Sequence, residues 1–291
     1  MFRRVLVVMV FAFPLALLAG LFLFDRIFGG AGRGRDYVER IDLPPPGGEI
    51  GLPPIAGPLD PTRPLVVIDA GHGGHDPGAG SGELREKTLT LQLARALRDE
   101  LLAGGGVRVA LTRDSDFYLM LPERAGIARR LHADLFISIH ADSVASGDAS
   151  GASVYTLSER GSNAVAEAMA QRENRADTVG GVSLTGTSDR VSSILVDLSQ
   201  DETAARSGQF ARLILREAAG RLPLRDRGVQ SAAFIVLKSA DLPSVLFESG
   251  YISNADDRLF LASAEGRRAF AEVTARAIRV YFARLSTSGG E

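Results

Sequence analysis

His72, His140 and Glu248 each stand at the end of a short apolar run, and their side chains are the kinds that bind metals and move protons. His72 follows Leu65-Val66-Val67-Ile68-Asp69 within Ala70-Gly71-His72-Gly73-Gly74. His140 ends Phe136-Ile137-Ser138-Ile139-His140, and Glu248 ends Val245-Leu246-Phe247-Glu248. Such runs read as buried strands, and in an open α/β sheet functional groups collect past the carboxyl ends of the strands. One polar strand end is as readily an accidental cap, but three of them, two histidine, point to a site. Two imidazoles and one carboxylate make an open zinc site with a fourth position left for water.

The second ligand must lie near His72, where Gly-rich sequence between Gly73 and Gly82 lets the chain fold back. Glu83 and Glu86 are both candidates. Glu86 opens a helical pattern through Leu89, Leu93 and Leu97, where the helix dipole favours a carboxylate, but spacing alone does not choose. Glu248 is then the group that takes a proton from water and delivers it to a leaving amine. With no cysteine in the chain, thiolate metal sites, cysteine nucleophiles and disulfides are excluded. There is no Gly-x-Ser-x-Gly elbow to suggest a serine nucleophile. The remaining two histidines read as surface residues: His75 lies among Gly73, Gly74 and Asp76, and His132 at the polar end of a helix.

The elements that must hold these groups alternate. Strands are expected at Leu65–Asp69, Val107–Thr112, Leu135–Ile139, Ser153–Leu157, Phe234–Leu237 and Ser244–Phe247. Helices are expected at Leu89–Leu102 (stopped by Gly104-Gly105-Gly106), Glu123–His132, Gln209–Gly220 and Glu265–Leu285. This order implies an α/β fold, a mostly parallel twisted sheet with helices on both faces. Residues 64–286 form the single catalytic domain in this reading. Upstream, Val5 to Phe24 is an apolar run after Arg3 and Arg4, and about 20 such residues span a hydrocarbon core. Its length, and the lack of a small-x-small site near its end, favour a membrane-spanning signal anchor at 1–24 over a cleaved signal peptide. Residues 25–63, with Pro44-Pro45-Pro46 and Pro53-Pro54, read as an extended tether. A formal net charge of −2 gives no reason to expect a nucleic-acid partner.

Val67-Ile68-Asp69-Ala70-Gly71-His72-Gly73-Gly74-His75-Asp76-Pro77-Gly78-Ala79 resembles the opening signature of the zinc-dependent N-acetylmuramoyl-L-alanine amidases, above all the division amidases of Gram-negative bacteria. Three further segments are similar to that family in order. They are Gly82-Glu83-Leu84-Arg85-Glu86-Lys87; then Thr112-Arg113 with Asp116, Leu121 to Arg124 and Asp134-Leu135-Phe136-Ile137-Ser138-Ile139-His140-Ala141-Asp142; then Phe234 to Lys238, Leu242 to Leu246 and Glu248 to Asn254. The resemblance covers about residues 64 to 285. It implies one zinc ion held by His72, Glu86 and His140, with Glu248 as the catalytic glutamate. It also implies cleavage between the lactyl group of N-acetylmuramic acid and L-alanine in peptidoglycan, in the periplasm, for wall remodelling and daughter-cell separation. The N-terminal targeting domain common in that group is not expected here, and an anchor in the inner membrane is less usual for it.

Ser158 to Ser207 lies where the division amidases carry a regulatory insertion, and Glu173-Asn174-Arg175-Ala176-Asp177 and Ser193 to Gln200 are similar to their pattern. In that group a helix from this region can cover the zinc and is moved by an activator protein. Asp189, Asp197 and Glu202 are unranked candidates for an acidic side chain turned toward the metal. The plainer reading is a segment that only buttresses the sheet. Two rivals to the amidase reading are a zinc peptidase acting on another amide and a wall-binding scaffold without chemistry. The presence of all four site residues weighs against the scaffold.

Overall fold

Strand alternation decides which side chains meet. In chain order the elements are β1 (Leu65–Ala70), β2 (Gly80–Ser81), β3 (Leu84–Arg85), α1 (Glu86–Gly104), β4 (Arg108–Leu111), α2 (Leu121–Arg130), β5 (Leu135–Asp142) and β6 (Ser153–Leu157). They continue with α3 (Ala164–Glu173), β7 (Thr178–Val179), β8 (Val182–Ser183), α4 (Ile194–Ala218), β9 (Gln230–Ala232), β10 (Ser244–Tyr251), α5 (Ala255–Ala262) and α6 (Ala264–Ser288). The computed structural model describes residues 51–288 except 82, 144–148, 180–181, 184–193, 226–227 and 240, together with residues 12–13 and 17–19.

Six strands form the main sheet in the order β4-β1-β5-β10-β6-β9. β4, β1, β5 and β10 run parallel. β6 pairs antiparallel with β10 and carries β9 parallel to itself. The sheet is therefore mostly parallel, with two reversed strands at one side. Successive strand residues point to opposite faces. Val66, Ile68, Ile137, Ile139, Val245 and Phe247 bury one face against Leu89, Leu93 and Leu97 of α1, Phe210 of α4, and Phe270 and Ile278 of α6. The residues between them face the other way: Val67, Phe136 and Leu246 pack with Leu121 of α2, with Ala166, Met169 and Ala170 of α3, and with Phe234. Helices thus cover both faces, and Asp69, Ser138, His140 and Glu248 share the α2/α3 side by their parity.

Helix α1 ends where expected, at Gly104, with Gly105 at φ 64° donating its N–H to Leu102. Phe234–Leu237 is not a strand. The pairing strand comes earlier, at β9, and Ile235–Leu237 is a short 3₁₀ turn. Val236 and Leu237 in it and Phe234 before it are buried without any ladder, and Ile235 is half-buried. Two compact units are present, 1–51 and 52–291. The second begins upstream of residue 64, because Ala56 exchanges both backbone hydrogen bonds with Val109 of β4. Among the described residues no helix is long and apolar enough to cross a membrane. Apart from residues 12–13 and 17–19, the Val5–Phe24 run lies outside them.

Candidate metal centre

His140 and Glu248 are neighbours because β5 and β10 pair with Glu248 opposite His140. His72 reaches the same place from the turn after β1, and it does so at φ 61°, a left-handed conformation uncommon outside glycine. Two glycines make room for the rings. A Cβ on Gly71 would lie 2.5 Å from the His140 ring, and one on Gly78, itself at φ +64°, would lie 2.6 Å from His72 and 2.7 Å from Glu86 Oε2. The β2–β3 hairpin returns the chain so that α1 opens at Glu86, whose carboxylate points back at the histidines.

Glu86 Oε2 lies 3.1 Å from His72 Nε2 and Glu86 Oε1 lies 3.1 Å from His140 Nδ1. The same carboxylate accepts from the backbone N–H of Ala79 at 2.8 Å and of Ala141 at 2.9 Å. Asp76 Oδ2 holds His72 Nδ1 at 2.7 Å, so the ring's other nitrogen is turned toward Glu86, the orienting arrangement common around metal-bound imidazoles. A fourth group, Glu173 at the end of α3, puts Oε2 3.4 Å from His72 Nε2 and 3.1 Å from His140 Nδ1. One ligand atom from each of His72, Glu86, His140 and Glu173 lies within 4.8 Å of the others, and all four residues are buried. His72 Nε2 and Glu173 Oε2 have oppositely charged neighbours at these distances but no hydrogen bond of satisfactory geometry. Buried polar atoms left without partners are costly, and a small cation among them removes the deficit.

The charges agree. Burial pulls the His72 imidazole down, but Glu86, Asp76 and Glu173 outweigh it and hold it well above the usual range. Burial opposes charge on His140 too, yet Glu173 and Glu86 bring it up to about 10. Burial pushes Glu86 and Glu173 up, and the imidazoles overcome it. Glu86 is held well below the usual carboxylate range, and Glu173 at about 2. The pocket is built to hold positive charge. Glu248 differs. It is fully buried, neither carboxylate oxygen has a hydrogen-bond partner, and burial followed by the nearby Asp142 carboxylate raises it well above the usual range.

The family model described as N-acetylmuramoyl-L-alanine amidase matches residues 66–280. The chain belongs to that family. Among relatives, this amidase-family chain is 40% identical over 220 residues to N-acetylmuramoyl-L-alanine amidase AmiA of Escherichia coli, covering 75% of this chain and 76% of AmiA. It is 39% identical over 234 residues to AmiC of another Escherichia coli strain, covering 79% of this chain and 56% of AmiC. The chain thus spans little more than half the length of AmiC and about three quarters of AmiA. The solved structure of N-acetylmuramoyl-L-alanine amidase AmiC2 of Nostoc punctiforme superposes with a TM-score of 0.53 at 32% identity, covering 76% of this chain and 97% of that one.

His72, Glu86, His140 and Glu248 therefore come together, whereas Glu83 is exposed. His75 is exposed and lies against the Tyr118 ring with centroids 4.1 Å apart, and His132 is exposed at the end of α2. Among the described residues, the acidic residue from the 158–207 segment that reaches the cluster is Glu173, which the sequence reading did not single out. Of its three candidates, Glu202 lies on an exposed stretch of α4 paired with Arg206. Asp189, and the side chain of Asp197, lie outside the described residues. The signal that could have pointed to Glu173 is the Glu173–Asp177 motif that it opens. Asn174 pins the 233–235 turn through Ala233 O and Ile235 N, and Asp177 accepts from Leu121 N and Tyr118 OH. These contacts fix the end of α3 over the sheet.

Proposed function

We propose that this chain hydrolyses the amide bond between the lactyl group of N-acetylmuramic acid and L-alanine in peptidoglycan, with one zinc ion held by His72, Glu86 and His140 and with Glu248 as the proton carrier. The observation that carries the reading is the closeness of four buried ligand atoms, all within 4.8 Å. Two imidazoles and carboxylates, without a thiolate, suit zinc. When bound, zinc polarises the amide carbonyl and lowers the pKa of a coordinated water toward neutrality. Glu248, beside His140 in the sheet register, takes the proton of the attacking water and gives it to the departing amine. Its burial favours the protonated form needed for that second step. Asp76 keeps the His72 ring aimed at the ion.

Glu173 takes the position that an open catalytic site leaves for water, so the arrangement is a closed, resting form. Drawing α3 away restores the open site, and an activator protein that binds the 158–207 segment is the partner this reading calls for. A periplasmic place of work, with residues 1–24 as an inner-membrane tether, completes it; no nucleic acid enters.

Digestion of purified sacculi followed by mass spectrometry tests the activity. Free stem peptides beginning at L-alanine are the expected product. Cut stem peptides would instead favour a zinc peptidase, and no release, even after Glu173→Ala, would favour a wall-binding scaffold.

A further inference from the structure

Beneath the cluster lie two buried arginines that neither touch the metal position nor move protons. Arg113 and Arg124 are 1% and 2% exposed, and burying guanidinium groups near a site for a dication is electrostatically unfavourable unless something else requires them. Their hydrogen bonds supply the reason. Arg113 Nε and Arg124 Nη1 both donate to Ala70 O, at 2.9 and 2.8 Å. Arg113 Nη2 donates to Gly71 O at 2.9 Å and Arg124 Nη2 to His72 O at 3.0 Å. Three consecutive carbonyls of the turn carrying His72 are thus gripped by two rigid forks. That turn holds His72 in the left-handed region, which for an L-residue costs roughly 1–2 kcal/mol and persists only where the surroundings over-determine it.

Further hydrogen bonds reach the chain next to the other two ligands. Arg113 Nη2 also donates to Lys87 O at 2.8 Å, next to Glu86, and Thr90 Oγ1 ties α1 to Gly71 O at 2.8 Å. Asp69, fully buried, pairs with Arg124 at 3.0 Å and accepts from Thr112 Oγ1 at 2.6 Å and from Ser138 Oγ at 2.7 Å, two residues before His140. We infer that Arg113, Arg124 and Asp69 are positioning residues that set the metal affinity of this site by fixing the His72 turn relative to Glu86 and His140. The inference rests on the reading of the cluster as a zinc site.

Lysine keeps the charge but cannot make the planar, multi-donor fork. The test is the zinc dissociation constant of the full chain, measured by competition with a chromophoric chelator, for wild type, Arg124→Lys and Arg113→Lys. Partners that orient metal ligands change affinity by about 10–100-fold when removed, and a loss of that size is expected for each variant. Ile278→Ala, in the core on the far side of the sheet, is the control for general destabilisation: at an equal or greater loss of Tm it keeps wild-type zinc affinity. Thr112→Val, which removes only one hydrogen bond to Asp69, covers the case in which the arginine variants fail to fold, and is expected to weaken zinc binding by a smaller factor. Wild-type affinity in the folded variants, or an equal loss in Ile278→Ala, overturns the positioning role while leaving the zinc site intact. A wild-type chain that takes up no zinc overturns the zinc site, and the positioning role with it.

Discussion

Glu248 carries two carboxylate oxygens, fully buried and without hydrogen-bond partners. Such a group is expensive to keep, so its retention calls for a use. Glu248→Gln preserves shape but cannot carry the proton. It is expected to bind zinc as wild type does and to lose about 10²–10⁴ in turnover, read from zinc content and stem-peptide release on the same sample; full activity would refute the assignment. Glu173→Ala acts the other way. If Glu173 closes the site as proposed, turnover without any partner rises while zinc affinity falls through loss of one ligand. Unchanged turnover would make Glu173 a structural residue. His72, His140 and Glu248 were legible as polar ends of apolar runs, whereas spacing left Glu86 level with Glu83 and the family resemblance chose between them. Glu173 was not, because only the long-range packing of α3 brings it to the histidines, and residue type offered no way to rank it against Asp189, Asp197 or Glu202.

Helix α3 owes its place to contacts at its two ends and along one side. Asn163 Oδ1 accepts from Ala166 N at 2.9 Å, an N-cap worth about 1 kcal/mol. Ala166, Met169 and Ala170 pack against the sheet. At the far end Arg172 pairs with the buried Asp142 and donates to Ser143 O at 2.8 Å. Arg172 is 37% exposed on its side chain, so solvent screening leaves the pair about 1 kcal/mol, or roughly fivefold in the population with α3 displaced. Arg172→Ala should therefore raise partner-free turnover about fivefold with zinc affinity little changed, and a fall in turnover would count against α3 as the closing element. This element was only partly visible in the chain. The strands and helices that build the sheet repeat their period plainly, whereas the sequence from Ser158 to Ser207 reads as a polar stretch with helical pieces. The 234–237 run shows the complementary difficulty: apolar residues read as a strand, but burial under α2 and α3 satisfies them without backbone pairing.

A metal-free pocket with two imidazolium and two carboxylate groups carries the same net charge as one with a zinc dication between two neutral imidazoles and two carboxylates. A buried pocket that conserves its net charge in this way must exchange protons for metal. His140 is raised from 6.5 to about 10, which leaves it protonated at neutral pH without metal, and His72 is shifted upward in the same direction. Zinc uptake at pH 7 should then release at least the His140 proton and strengthen by about tenfold or more per pH unit until pH nears about 10. The sign for stability follows from the same shift. The raised His140 stabilises the metal-free fold fully below about 6.5, and the contribution is lost as pH rises through about 10. Glu173, lowered to about 2, contributes above its usual 4.5 and loses that contribution as pH falls through about 2. Metal-free Tm should accordingly decline from pH 7 toward 10, while the gain on adding zinc grows, reaching about 2.7 kcal/mol wherever free zinc is 100 times the dissociation constant. Calorimetric titration in buffers of different ionisation enthalpy counts the protons directly. A count near zero would mean that the imidazoles are neutral before metal arrives, and that the carboxylates around them do not set the charge of the pocket.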